Sequence, residues 1–133
     1  IDPIFLLAPT SDVERIKIIA RVARGFVYYV ALRGVTGAKN LDPVEVEAKL
    51  RAIRAHTQLP IGVGFGIDGP ETAARVARFA DAVVVGTAII KRVAQHAQAP
   101  AALADELRTF ALSLRAALDD ASAAQRSKTG ARS

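Results

Sequence analysis

At 133 residues, 51% apolar and with a net charge of +5, the chain has the size and composition of one packed domain. It holds no cysteine, which excludes disulfides, thiolate metal sites and a cysteine nucleophile. No apolar run approaches the roughly 20 residues that a membrane span needs, and the basic residues interleave with acids instead of forming a stripe with aromatics, so neither a membrane nor nucleic acid is an expected partner. Methionine is absent even at position 1, so the expectation is a chain whose native start lies upstream of Ile1. The opening Ile1-Asp2-Pro3 does not read as a secretory signal, and a cysteine-free chain of this kind fits the cytoplasm.

In chain order, the apolar run between Pro3 and Ala8 predicts a strand buried on both faces. Ser11-Asp12-Val13-Glu14 then reads as a capping box with Ser11 as the cap, opening a helix with Val13, Ile16, Ala20 and Ala23 on one face. Arg24-Gly25 stops it. The β-branched and aromatic run 26–32 is the clearest strand. A loop with two glycines follows, and Asp42-Pro43-Val44-Glu45 opens a helix whose buried stripe is Val46, Leu50 and Ile53. The third strand, 61–67, alternates apolar residues with three glycines. Asp68-Gly69-Pro70 caps the next helix, which turns Ala73, Val76, Ala77 and Ala80 inward. The fourth strand, 82–86, runs into Gly86-Thr87 and a short helix. Pro100 opens a last helix with Leu103, Leu107, Phe110, Leu114 and Leu118 along one side. Residues 122–133 read as a disordered basic tail, which makes 1–121 the folded domain.

Strands alternating with helices imply a parallel sheet. An open doubly wound sheet and half of a (β/α)8 barrel both satisfy that order. The glycine turns after the last two strands favour the barrel, where phosphate often sits in the loops after strands 7 and 8. A dinucleotide fingerprint is ruled out, because no first-strand G-x-G-x-x-G appears. The expected fold is therefore α/β, with four consecutive βα units as strands 5–8 of a TIM barrel. Isolated glycines in strands mark close approach to the backbone, and two such clusters in consecutive strand-to-helix turns point to a shared phosphate site.

The run from Pro3 to Thr10, Tyr28-Tyr29-Val30 leading to Gly34-Val35-Thr36-Gly37, then Gly64-Phe65-Gly66-Ile67 and Gly86-Thr87-Ala88-Ile89 together resemble the C-terminal half of the tryptophan synthase alpha chain. The resemblance is colinear from Pro3 to about Ala121. It implies a lyase that cleaves indole-3-glycerol phosphate to indole and glyceraldehyde 3-phosphate in tryptophan biosynthesis. It also implies an α2β2 heterotetramer in which pyridoxal phosphate belongs to the beta chain, leaving this chain without a cofactor or a metal. Phosphate-binding amides are implied at Gly37, Gly66, Gly86 and Thr87, and walls of the indole pocket at Tyr28 and Phe65. Thr36 matches the threonine of a mobile lid.

Retro-aldol cleavage needs positioned acid–base groups, and barrel catalysts stand at the C-terminal ends of strands. Of the thirteen acids, only Asp68 lies just beyond a suitable strand, and it reads as a helix cap. His56 and His96 fall near helix ends. No catalytic residue is therefore expected in this chain; the resemblance places the glutamate and aspartate in the other half of the barrel, and the 133 residues alone are expected to be inactive. Four strands alone would also leave two open edges, so self-association is expected of an isolated half. The competing functional readings are a non-catalytic phosphate-binding or assembly half-barrel and another phosphate-handling TIM-barrel enzyme.

Overall fold

A computed structural model describes residues 1–31, 43–64 and 66–130, with residues 43 and 125–130 described by their backbone only. Its elements run β1 (Phe5–Leu7), α1 (Val13–Val22), β2 (Val27–Val30), α2 (Pro43–Arg54), β3 (Ile61–Gly64), α3 (Pro70–Ala77), β4 (Ala82–Val84), α4 (Thr87–Gln95) and α5 (Pro100–Gly130). Contacts sort them into two units. One comprises Ile1–Gly66 with Phe79–Val84, and the other Ile67–Arg78 with Val85–Ser133.

The first unit holds a four-stranded sheet in the order β1-β2-β3-β4, parallel throughout. Its register aligns Leu7, Tyr29, Val63 and Val83 across the strands. Side chains alternate between the faces of a strand, so Phe5, Leu7, Val27, Tyr29, Ile61 and Val63 share one face. From Leu7 to Val63 these residues are at most 1% exposed. The buried stripes of α1 (Ile16, Ile19, Ala23) and α2 (Val46, Leu50, Ile53) complete this core. Each such aliphatic side chain contributes about 1.5–3 kcal/mol by leaving water. Burial also pushes the Tyr29 phenol above its usual pKa, with the negative charge of Glu45 adding to the effect.

The opposite face carries Leu6, Tyr28, Val30, Gly62, Gly64, Ala82 and Val84, and it is much less covered. Leu6 is 56% exposed and Val84 36%. Helical spacing alone misassigned part of α1. Ile19 occupies the inward place expected of Ala20, and Val13 is exposed. The cap is also one residue later than the capping box implied. Asp12 accepts from Arg15 N–H at 2.7 Å, while the Ser11 hydroxyl accepts from Ala8 N–H at 3.0 Å. A carboxylate is the stronger partner for the positive end of a helix.

Asp81 ties β4 to β3. Its carboxylate accepts from Ile61 N–H and from Arg54, each at 2.8 Å, and its own N–H donates to Ile61 O at 3.0 Å. The Arg54 pair is about 40% exposed on each side and adds little. The backbone bond matters more. Asp81→Ala is expected to lower folding stability by about 1–3 kcal/mol, read as a fall in the urea midpoint with an unchanged slope.

In the second unit, α3 and α4 both pack on α5. Ala73, Val76, Ala88 and Phe110 are buried. Helix α5 runs to Gly130, through most of the segment expected to be a disordered tail. The stretch Asp120 to Lys128 contains Ala121, Ala123, Ala124, Gln125, Arg126 and Lys128. All are good helix formers, so an established helix has no reason to stop at residue 121. Low hydrophobicity marks such a segment as surface without making it irregular.

Candidate functional site

The opening of α4 is the best-defined candidate. Gly86 is its N-cap and supplies no side-chain hydrogen bond. Ile89 and Ile90 N–H groups both donate to Gly86 O, at 2.9 and 3.1 Å, which starts the helix. The amides before them have no partner within a helix by construction. Helices α1, α2 and α3 each place an acid in the first turn, where it meets the positive end of the dipole; α4 and α5 place none. A Cβ at Gly86 would meet nothing within 4 Å, and Thr87 is exposed. An anion can therefore reach these amides, and the Thr87 hydroxyl stands beside them in sequence.

Gly66 has φ +73°, a left-handed conformation that glycine adopts freely and other residues do not. It is exposed. The conformation explains why a glycine stands there independently of any ligand.

The Tyr28 ring lies across Gly64. A Cβ on Gly64 would fall 2.7 Å from Tyr28 Cε2 and 2.8 Å from Cζ, and closer still to the hydroxyl. Gly64 thus makes room for the half-buried tyrosine on the open face of the sheet, where an apolar ring with a polar tip can meet a ligand. Ala31 N–H donates to Gly64 O at 3.0 Å, which extends this register past the strand ends. Thr36, Gly37 and Phe65, the remaining expected site residues, lie outside the described residues.

Asp68 does not cap α3. The N-cap is Gly69, without a side-chain bond. Asp68 instead accepts the Thr72 hydroxyl at 2.5 Å, and that bond, with Arg75 and Lys91 nearby, holds its carboxyl below the usual carboxylate range. A carboxylate stabilised in its charged form is a poor proton donor at neutral pH. Besides Asp12, which caps α1, and Asp81, several acids are in structural ion pairs: Glu14 with Lys17, Glu47 with Arg51, Glu106 with Arg92 and Asp119 with Arg115. His96 is the C-cap of α4, its Nδ1 3.0 Å from Arg92 O. Among the described residues no three His, Asp or Glu side chains are grouped to hold a metal ion. No described helix is long and apolar enough to cross a membrane.

The α3–α5 groove, about 670 Å³, is an unsuitable phosphate site. Alanines dominate its lining, and Glu71 and Asp120 offset Arg78. Sequence reading also missed Lys49, whose ammonium donates to Pro9 O at 3.2 Å and Ser11 O at 2.5 Å and so fastens the loop after β1. No local pattern announces a contact between residues about 40 apart.

Parallel strands linked through helices define an α/β protein with a parallel sheet. The chain belongs to the tryptophan synthase alpha chain family, whose model matches residues 1–119. It is 57% identical over 119 residues to the tryptophan synthase alpha chain of Thioalkalivibrio sulfidiphilus, covering 90% of this chain and 45% of that one. With the Burkholderia thailandensis alpha chain it shares 53% over 121 residues, covering 91% and 44%. Among solved structures, the tryptophan synthase alpha subunit of Legionella pneumophila superposes with a TM-score of 0.77 at 36% identity, over 90% of this chain and 43% of that one. The chain thus spans a little under half the length of these relatives.

Proposed function

We propose that this chain forms strands 5–8 of a (β/α)8 barrel that cleaves indole-3-glycerol phosphate to indole and glyceraldehyde 3-phosphate, a lyase step of tryptophan biosynthesis. The observation that carries the reading is the family match over residues 1–119. The bare amides of the α4 opening support it. In this reading Gly86 and Thr87 bind the substrate phosphate together with Gly66 and Gly37, Tyr28 and Phe65 line the indole pocket, and Thr36 belongs to the lid. The proton-transfer carboxylates belong to the other half of the barrel, where the family resemblance places them. The enzyme works in the cytoplasm as an α2β2 assembly, with pyridoxal phosphate on the beta chain.

Titration calorimetry with indolepropanol phosphate and with glycerol phosphate tests this. The indole analogue is expected to bind more tightly, because burial of its rings adds apolar area to the same phosphate contacts. Equal affinity would remove the indole pocket from the reading. Turnover of indole-3-glycerol phosphate by the 133 residues alone would overturn the placement of the proton-transfer groups.

A further inference from the structure

Helix α4 has little apolar anchorage. Ala88 is buried, but Ile90 is 66% exposed and Val93 38%. Its tie to α5 runs through Arg92, whose guanidinium carbon sits 3.5 Å from the centroid of the Phe110 ring. Arg92 Nε lies 3.2 Å from Glu106 Oε1. That nitrogen is buried and makes no hydrogen bond among the described residues, so the contact with Glu106 is charge attraction without aligned geometry. Another nitrogen of the same group, Nη1, donates to Ala88 O at 2.9 Å. Ala88 is in the first turn of α4, directly after Thr87. One side chain therefore joins the first turn of α4 to a buried ring and a carboxylate on α5.

We infer that Arg92 is a positioning residue for the anion-binding turn, holding the Gly86 and Thr87 amides in a fixed direction by clamping α4 onto Phe110 and Glu106 of α5. The inference rests on the proposed reading of Gly86 and Thr87 as phosphate ligands. Its physical basis is preorganisation. Amides already aimed at the anion lose less freedom on binding than amides on a loosely held helix. A cation stacked on an aromatic ring and faced by a carboxylate restrains both translation and roll of the helix.

The clamp and a plain charge effect predict opposite signs at Glu106. Removing an anion from this unit favours phosphate binding on charge alone, whereas loosening the clamp weakens it. The test is a titration of the full chain with inorganic phosphate, followed through the amide resonances of Gly86 and Thr87. In the parent chain both resonances are expected to shift. Arg92→Leu is expected to raise the phosphate Kd about fivefold, the scale of a partly exposed cation–π contact, and Glu106→Gln about twofold, the scale of a half-exposed ion pair. Arg92→Lys, which keeps a cation for the ring and the carboxylate, is expected to recover part of the loss.

Unchanged or tighter binding by Glu106→Gln, with the parent shifts present, overturns the clamp and leaves the phosphate site standing. Unmoved Gly86 and Thr87 resonances in the parent chain overturn the phosphate site itself, and the clamp with it. Should Arg92→Leu lose its helical circular dichroism, Glu106→Gln decides, because that half-exposed carboxylate can be neutralised without opening the core.

Discussion

Gly64→Ala costs about 2 kcal/mol of folding stability, the usual scale of an overpacked interior, and turns the Tyr28 ring out of its place. The expectation follows from contact distances. Non-bonded carbons sit best at about 3.5–4.0 Å, and the new methyl would arrive 2.7–2.8 Å from two ring carbons. The backbones cannot separate to relieve this, because Val30 pairs with Gly64 and Tyr28 with Gly62 in the same parallel ladder. The ring must rotate. Urea denaturation and the near-ultraviolet circular dichroism of tyrosine read the two effects. Gly62→Ala is the control, since its Cβ would meet Phe26 at 3.4 Å and Val84 at 3.7 Å, close to ordinary contact. Removing the ring should relieve the clash, so Tyr28→Ala in the Gly64→Ala background is expected to recover much of the lost stability. Strict additivity of the two changes would show that the ring is not what the methyl meets.

Gly86→Asp should abolish most phosphate binding without harming the fold. Aspartate is among the favoured N-cap residues, and the negative φ of Gly86, −118°, is open to it once ψ turns from −73° to the extended range of a side-chain cap. Space for the Cβ is open. The new carboxylate would accept from the first-turn amides that the anion would use, and it would repel the dianion. Losing hydrogen bonds to a charged group costs about 1.5–3 kcal/mol each. The phosphate Kd is therefore expected to rise about a hundredfold, about 2.7 kcal/mol, while the melting temperature holds or rises. Parent-like phosphate affinity in this variant would place the anion elsewhere.

The order of elements was legible because each period is local. The apolar runs at 5–7 and 27–30 and the stripe of Val46, Leu50 and Ile53 are fixed by which neighbours along the chain can share a face. Glycine placement was legible in the same way. Gly66 and Gly86 stand at strand-to-helix turns that can be located without coordinates. Their reasons for being glycine were not. Gly66 answers to its own backbone angle, Gly64 to a tyrosine on another strand, and Gly86 to open space at a helix start.

By itself the sequence determined an α/β chain with parallel strands, its family and the strand-to-helix turns that carry glycine, because periodicity and glycine spacing act over a few residues. Only the tertiary structure decided the rest. It showed that Asp68 serves Thr72 instead of a cap, that Asp81 starts β4 on β3, that α5 continues to Gly130, and that Arg92 reaches from the first turn of α4 to Phe110 and Glu106. Apart from the helix extension, these depend on which groups meet once the chain has folded. A carboxylate or guanidinium takes whichever partner lies within its reach of a few ångströms, and the local pattern around it does not name that partner.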